Sequence, residues 1–468
     1  MPSSSLISPF SLLFLLSLSS AHTVITLSTS PSPAAPPLSN PWQKLNHLAT
    51  ASATRAHHLK HPQANTSAVK APIFPHGYGG YSISLSFGTP PQTLSFLMDT
   101  GSSLVWFPCT DSFSCSSCNF IGVDPANITT FLPRLSSSTK IVGCKDSKCR
   151  WLSPNVQCDG CRKNSTGCNE SCPPFKATYG SGSTSGLLIS ETLIFPKKSV
   201  ENFIVGCSIF ASTEPSGIAG FGRGPDSLPA QMGLKIFSYC LVSHEFDDEP
   251  VHSNLVLETA SGADASTEGA RMNYTPFSKN PTTPKHPAYK EYYYVTLQKI
   301  TVGGVDVRVP YKFLVADAEG RGGIIVDSGT TFTFMENQVY ELVAGGVGEE
   351  GGGELEKQVG KNYSRVAEVE NLSGLGPCFK VSDENSFTVP ELAFHFKGGA
   401  KMALPVENYF SPLVDSAVCM TITTDRGGGG VRPGPAIIFG NYQQQNIYME
   451  YDLENERLGF RKQVCNNK

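Results

Sequence analysis

Two aspartates, Asp99 and Asp327, each end a short apolar run and precede a small hydroxyl residue, a glycine and two further hydroxyl residues. The two segments read FLMDTGSS and IIVDSGTT, and their aspartates are 327 − 99 = 228 residues apart. One such segment would be an ordinary turn, because Asp bonds its own backbone and Gly adopts positive φ. Two copies at this distance predict two halves that each supply one carboxylate to a common site.

A pair of carboxylates about 3 Å apart shares a proton, because both groups cannot ionise near neutral pH. One carboxylate then takes a proton from a water molecule, and the other donates a proton to a substrate carbonyl. This chemistry hydrolyses an unactivated amide without a cofactor, and we expect none. A metal site would need more convergent carboxylates or histidines. A serine hydrolase would need a nucleophile-elbow motif, which the glycine-rich segment after Tyr179 does not match.

The residues of the two turns are expected to support the carboxylates. The hydroxyl three residues after each aspartate, on Ser102 and Thr330, would donate to the outer carboxylate oxygen. The hydroxyl directly after each aspartate, on Thr100 and Ser328, would join the two turns from behind. The expected supporting residues are therefore Thr100, Gly101, Ser102, Ser328, Gly329 and Thr330.

A third pattern lies around Tyr179, where Phe175 to Thr178 and the residues after Gly182 flank a glycine-rich tip. Two such runs predict a β-hairpin whose tip carries Tyr179, Gly180 and Ser181. A mobile hairpin of this kind would form a lid over a cleft. The stretch alone equally fits an ordinary hairpin with a surface tyrosine.

Length and composition limit the class of protein. A chain of 468 residues exceeds one comfortable hydrophobic core, which predicts two lobes. The 44 Gly and 34 Pro favour short strands and turns, and hence an all-β fold with short helices. A net charge of −4 gives no support for nucleic-acid binding. After the N-terminus no stretch approaches the roughly 20 apolar residues of a membrane span, so we expect no membrane anchor.

The N-terminus and the cysteines indicate the secretory pathway. Residues 1–21 are predicted to be a signal peptide, with an apolar core at Leu12 to Leu18 and a small-residue cleavage site. The 14 cysteines and seven Asn-x-Ser/Thr sites fit such a route. Nine of the cysteines crowd into residues 109–172, a predicted disulfide-stapled surface insertion. The alternative is a zinc site built on the pairs Cys115-x-x-Cys118 and Cys158-x-x-Cys161.

Residues 22–72 form a distinct leader. Within 22–70 there are four Lys or Arg and no acidic residue, whereas the rest of the chain has 36 − 4 = 32 basic and 40 acidic residues. Trp42 to Lys60 is predicted to form a basic helix. A basic leader before an acidic body suggests a propeptide that covers a negatively charged cleft. The alternative is a disordered linker, which the Pro-rich residues 31–37 favour for the first part.

A weak internal repeat follows the leader. The strand before Asp99 is later followed by an apolar–glycine step at Ser216 to Gly222, and the strand before Asp327 by a similar step at Ala436 to Asn441. We therefore expect an N-terminal lobe at 73–260 and a C-terminal lobe at 261–468.

In combination these motifs resemble the pepsin-like, two-lobed aspartic proteases, and more narrowly the plant nepenthesin/nucellin-like branch, over roughly residues 75–465. The resemblance implies two β-barrel-like lobes with a cleft between them. It also implies that Asp99 and Asp327 form the catalytic dyad, that Tyr179 is the flap tyrosine and that Trp106 supports it. The segments that carry it are Asp99–Trp106, Tyr179–Ser183, Gly217–Gly224, Phe237–Leu241, Asp327–Thr331 and Ile438–Asn446.

The resemblance implies a monomeric endopeptidase that acts on protein or peptide substrates at acidic pH after propeptide removal. The expected location is extracellular, in the apoplast or cell wall, rather than the vacuole. Two positions depart from the branch: Ser181, where Asp is common, and Phe439, where an aliphatic residue is commoner. The alternatives are a catalytically silent secreted binding or inhibitor protein on the same scaffold, and a zinc-binding interaction protein.

Overall fold

A computed structural model describes part of the chain. The described residues are 24–31, 41–60, 80–118, 128–152, 156–158, 170–180, 182–196, 198–212, 216–243, 252–259, 271–345, 352–382, 387–413, 416–425 and 434–465. The predicted signal peptide and Ser181 lie outside these residues, as do Cys161 and residues 32–37 of the Pro-rich stretch.

Short strands dominate the described part. The strands are β1 (Val24–Pro31), β2 (Tyr81–Phe87), β3 (Gln92–Asp99), β4 (Trp106–Pro108), β5 (Ser114–Ser116), β6 (Lys140–Ile141), β7 (Phe175–Thr178), β8 (Ser183–Phe195), β9 (Lys198–Ser212), β10 (Gly217–Gly220), β11 (Ile236–Cys240), β12 (Ser253–Glu258), β13 (Asn273–Pro276), β14 (Tyr294–Val295), β15 (Leu297–Val302), β16 (Val305–Val307), β17 (Ile324–Val326), β18 (Phe334–Met335), β19 (Cys378–Lys380), β20 (Leu392–Phe396), β21 (Lys401–Ala403), β22 (Phe410–Leu413), β23 (Ala417–Met420), β24 (Ile437–Phe439), β25 (Ile447–Asp452) and β26 (Arg457–Lys462). The helices are α1 (Pro41–Lys60), α2 (Leu228–Met232), α3 (Tyr311–Leu314), α4 (Asn337–Val343), α5 (Glu354–Val359) and α6 (Ala367–Ser373).

The first half is built on a long sheet in the order β13-β26-β25-β11-β12-β1-β2-β3-β10-β4-β9-β8-β6. Strand β2 forms in this sheet because its sequence alternates, which buries Tyr81, Ile83, Leu85 and Phe87 on one face. Strand β3 follows after a short turn and pairs with β2. It leads directly into Asp99, so a packed strand fixes the position of this carboxylate.

The second half repeats this arrangement in a four-stranded sheet, β14-β17-β24-β18. Strand β17 leads into Asp327 and runs parallel to β24, just as β3 runs parallel to β10. The predicted repeat of strand, aspartate turn and apolar–glycine element is therefore present in both halves. Phe439 of β24 is buried and packs edge-on against Phe394, with the ring centroids 5.5 Å apart.

Strands from both ends of the chain join the two halves. In the long sheet, β25 and β26 from the C-terminus lie beside β11 and β12. The disulfide Cys240–Cys465 links β11 to the segment after β26. Strand β1 of the leader lies between β12 and β2. The leader is thus integrated into the sheet.

The aromatic and β-branched residues from Tyr292 to Val302 predict a single strand, and the structure corrects this prediction. The chain instead forms β14 and β15, which lie in different sheets. Strand β14 pairs with β17, whereas β15 pairs with β16 and β20, so the chain changes sheets at Thr296.

The cysteine-rich segment is held by disulfides, as predicted. Its described cysteines form the pairs Cys115–Cys118, Cys144–Cys158 and Cys149–Cys172, while Cys109 reaches β9 to pair with Cys207. A further pair, Cys378–Cys419, joins β19 to β23. The segment is not wholly a surface insertion, because Cys109, Cys149 and Cys172 are buried.

Candidate active site

The carboxylate of Asp99 lies at the end of β3 and has no exposed surface. The N–H of Gly101 donates to its Oδ1 atom at 2.9 Å. The hydroxyl of Ser102 donates to its Oδ2 atom. The turn after β3 therefore supplies two of the hydrogen bonds that a buried carboxylate requires.

Asp327 repeats this geometry in the second half and is also fully buried. The N–H of Gly329 donates to its Oδ1 atom at 2.9 Å, and the hydroxyl of Thr330 donates to its Oδ2 atom. Both aspartate turns thus hold the carboxylate through the residues at the second and third positions after it. The hydroxyl contacts of Ser102 and Thr330 are those expected from the two matched sequence segments.

The two turns are joined by Thr100 and Ser328. The N–H of Thr100 donates to the Ser328 hydroxyl at 3.1 Å, and the N–H of Ser328 donates to the Thr100 hydroxyl at 2.9 Å. Each hydroxyl also donates to a backbone carbonyl of the opposite half, Thr100 to Val326 and Ser328 to Met98. This reciprocal set fixes the distance between the two aspartates.

The glycine-rich hairpin lies above the pair. Strands β7 and β8 flank its tip, and the N–H of Tyr179 donates to the carbonyl of Gly182 at 2.6 Å. The ring of Tyr179 is buried with its centroid 6.4 Å from that of Trp106. A Cβ atom placed on Gly180 would lie 2.3 Å from the Cα of Arg55. The tip therefore contacts the backbone of helix α1.

Arg55 of α1 binds both aspartates, and it is the site residue that sequence reasoning missed. Its Nη2 atom lies 2.7 and 2.9 Å from the two oxygens of Asp99, and its Nε atom lies 3.4 Å from Oδ2 of Asp327. Only 7% of the residue is exposed. One feature of the sequence could have indicated this role: Arg55 is the one arginine in residues 22–70, which contain no acidic residue.

The electrostatic environment shifts the pKa values of the two carboxylates in opposite directions. Burial raises the pKa of Asp99, but the Arg55 guanidinium and the Ser102 hydroxyl outweigh burial and hold that pKa below its ordinary value. Burial likewise raises the pKa of Asp327, and the neighbouring charge of Asp99 adds to this, so its pKa stays above the ordinary value despite Arg55. One carboxylate is therefore disposed to be charged and the other to carry a proton.

The predicted basic helix from Trp42 to Lys60 is confirmed as α1. Apolar contacts anchor this helix on both sides of Arg55. On the N-terminal side, Leu45 and Leu48 pack into a cluster that includes Phe332 and Tyr442. The hydroxyl of Ser52 accepts a hydrogen bond from the N–H of Phe332 at 2.8 Å. The helix thus lies on residues that directly follow the second aspartate turn.

Comparison with known proteins identifies the family. A probable aspartyl protease of Arabidopsis thaliana is 35% identical over 82% of this chain and 82% of its own length. The chain belongs to the family of plant aspartic proteases. Aspartic proteinase nepenthesin-2 of Nepenthes gracilis is 32% identical over 86% of this plant aspartic protease and 81% of its own length. Nepenthesin-1 from the same plant is 33% identical over 83% and 79%.

Two family models that are named for xylanase inhibitors also match this chain. The model described as xylanase inhibitor N-terminal matches residues 81–256 of this plant aspartic protease, and the one described as xylanase inhibitor C-terminal matches residues 292–462. The solved structure of edgp superposes with a TM-score of 0.62 at 19% identity, covering 84% of this chain and 94% of that one. Soybean basic 7S globulin gives 0.57 at 18%, covering 83% and 95%. These likenesses confirm the two-lobed, pepsin-like all-β fold.

The zinc interpretation of this plant aspartic protease is wrong for the described cysteines. Cys115 and Cys118 are joined to each other, and Cys158 is joined to Cys144, so these thiols are oxidised. Among the described residues no group of three or more His, Cys, Asp or Glu side chains converges as a metal site would require. Within the same residues, no helix has the length and apolar character needed to span a membrane.

Proposed function

We propose that this chain is an aspartic endopeptidase in which Asp99 and Asp327 activate a water molecule for the hydrolysis of peptide bonds. The observation that carries the proposal is that one guanidinium reaches both carboxylates, at 2.7 and 3.4 Å. A group between the two aspartates can therefore contact both at once. A substrate carbonyl with its attacking water would occupy this place when Arg55 leaves.

One aspartate of the pair must be charged and the other protonated. The charged carboxylate would take the proton of the water molecule, and the protonated one would donate to the substrate carbonyl oxygen. Arg55 favours Asp99 as the charged member while α1 is bound. After Arg55 leaves, the single shared proton belongs to the pair, so either carboxylate serves as base in a given turnover. Activity is expected at acidic pH, where that proton is retained.

Residues 22–72 would act as a propeptide, because α1 excludes substrate from the aspartates. Arg55 neutralises the pair, while the tip of the hairpin at Gly180 contacts the helix backbone at the same point. Access to the aspartates requires that this helix be displaced. In the mature enzyme Tyr179, Gly180 and Ser181 would then close over substrate, supported by Trp106.

Six disulfides in the described part indicate folding in the oxidising secretory pathway. Residues 1–21 would be the signal peptide that directs the chain there. We assign the mature enzyme, as a glycosylated monomer, to the apoplast or cell wall rather than the vacuole. Its partners would be protein or peptide substrates.

A second candidate function is a silent binding or inhibitor protein, which the descriptions of the two family models favour. Against it, both aspartates keep the glycine and hydroxyl that support a working carboxylate. The Arabidopsis thaliana relative and the two nepenthesins, at 32–35% identity, are named as proteases or proteinases.

The deciding experiment is cleavage of a diverse peptide library at about pH 3–5 by acid-activated full-length chain. Asp327→Asn should lower the rate of peptide cleavage at least about 10²–10³-fold and leave the far-UV circular dichroism spectrum unchanged. The control is Asp306→Asn, which removes an exposed carboxylate of the same half. Retained activity in Asp327→Asn would overturn the role of Asp327. A folded wild-type chain that cleaves no peptide would establish the silent alternative.

A further inference from the structure

Helix α1 buries a second cation, Lys60, in a pocket that contains a carboxylate. Only 1% of Lys60 is exposed, and its ammonium forms an ion pair with Glu336, which is 5% exposed. The same ammonium lies 4.9 Å from the ring centroid of Phe334, within cation–π range. Glu336 is therefore a buried acid with a specific basic partner, outside the two aspartate turns.

The pocket is built on the sheet that carries Asp327. One row of directly paired residues crosses this sheet: Tyr294 faces Ile325, Ile325 faces Ile438, and Ile438 faces Phe334. All four belong to one apolar cluster, which also contains Ala56 and Leu59 of α1. The end of α1 thus lies on this row.

The row is close to the reacting atoms. Ile325 precedes Asp327 by two residues on one extended segment, so the two side chains lie on the same face about 7 Å apart. An extended substrate covers this distance in about two residues. A side chain near the scissile bond would therefore reach the apolar row, where the ammonium of Lys60 lies over the ring of Phe334 in this structure.

The pocket recognises the backbone as well as the ammonium. The hydroxyl of Tyr289 donates to the carbonyl of Lys60, and that of Tyr292 donates to the carbonyl of Leu59 at 3.4 Å. A Cβ atom on Gly434 would lie 2.4 Å from the Cα of Lys60, so the absence of a side chain there admits the chain. These donors are available to any peptide that replaces α1.

We infer that Glu336 is a specificity-determining residue, and that its pocket selects a lysine or arginine side chain of the substrate within about two residues of the scissile bond. When α1 leaves, the carboxylate of Glu336 loses its ion-pair partner in a site walled by tyrosine, phenylalanine and isoleucine. A basic substrate side chain restores the pair, and its stem packs on the same apolar row. The inference rests on the proposed protease function and names the substrate class of that site.

The test uses acid-activated full-length chain and a peptide library, followed by peptide pairs that differ only by Lys or Met at the enriched position. Wild type should prefer Lys by about tenfold in kcat/KM, equivalent to about 1.4 kcal/mol. Glu336→Gln should bring this ratio close to one, and Glu336→Asp should keep part of it. The matched control is Glu341→Gln, which removes an exposed carboxylate from the helix that follows Glu336.

Three results would overturn the inference. One is an unchanged Lys/Met ratio in Glu336→Gln, measured on protein whose thermal midpoint shows that it is folded. Another is a wild-type profile without enrichment of Lys or Arg near the scissile bond. Either of these leaves the protease function standing, because cleavage itself is observed. Absence of cleavage by every variant would remove both the inference and the function on which it rests.

Discussion

Thr100 and Ser328, which belong to different halves of the chain, each donate a backbone N–H to the other's hydroxyl. Both residues are fully buried. They directly follow the two aspartates, so this reciprocal contact transmits the position of one turn to the other. A carboxylate pair needs such a link, because its proton affinity depends on a separation that neither half fixes alone.

Replacing Ser328 by alanine should therefore destabilise the protein and reduce its activity. The change leaves the buried N–H of Thr100 and the carbonyl of Met98 without these partners. An unsatisfied buried group costs about 1–3 kcal/mol. We expect a loss of that size in the free energy of unfolding, measured by urea denaturation, together with a lower kcat from displaced aspartates.

The control for Ser328→Ala is Ser137→Ala, which removes an exposed hydroxyl with one hydrogen bond to the carbonyl of Thr89. Its free energy of unfolding should change by less than about 0.5 kcal/mol. Equal stabilities for Ser328→Ala and wild type would show that the link between the turns contributes nothing.

A second prediction concerns Asp226, which is buried near Glu291. Burial raises the pKa of Asp226 to about 6, although a hydrogen bond from its own backbone N–H and the charge of Lys290 oppose this. Burial and then the charge of Asp226 raise the pKa of Glu291 to about 7. A carboxyl with a raised pKa binds more protons in the folded than in the unfolded chain. The contribution of these two carboxyls to the free energy of unfolding should therefore fall as pH rises from about 4 to about 7.

Asp226→Asn should remove much of this loss of stability at higher pH. The amide resembles the protonated carboxyl, so the variant should exceed wild type by about 2–3 kcal/mol at pH 7.5 and show no gain at pH 4. Urea denaturation at the two pH values measures the difference. Asp111→Asn, at an exposed position, is the control. A variant that is less stable than wild type at pH 7.5 would contradict a destabilising charge at position 226.

The sequence permitted prediction of those parts of the site that are local. The turns after Asp99 and Asp327 follow from an aspartate, a glycine and a hydroxyl at fixed offsets, and alternation along Tyr81–Phe87 specified a strand with one buried face. The position of Arg55 could not be predicted, because tertiary packing fixes which residue of α1 faces the aspartates. The same limit applies to the change of sheet at Thr296.

The partnership of Lys60 with Glu336 illustrates the same limit. Glu336 follows the second turn by a few residues and looks like an ordinary helix-start acid in the sequence. Only the pairing of β18 with β24 brings it beside the row of side chains next to Asp327. Specificity was therefore less predictable than catalysis, since it depends on contacts between strands that are distant along the chain.

The last prediction concerns release of α1 by acid. Arg55 holds the pKa of Asp99 below its ordinary value, so their ion pair contributes above about pH 4 and is lost as pH falls through the lowered pKa. Arg55→Met removes the cation and leaves two buried carboxylates facing each other. Breaking a buried pair in this way costs about 3–5 kcal/mol, which should weaken docking of α1 already at neutral pH. The pH of half-maximal activation, measured by peptide cleavage after a fixed incubation, should rise by about one unit or more.

Arg55→Lys provides the matched control for this measurement. A lysine keeps the positive charge but cannot contact both aspartates through a planar fork, so its activation pH should lie between those of wild type and Arg55→Met. Equal activation profiles for all three proteins would show that Arg55 does not hold the helix. In that case the apolar anchors, Leu48 and Leu59, would have to account for docking, and the requirement for acid would need another titrating group.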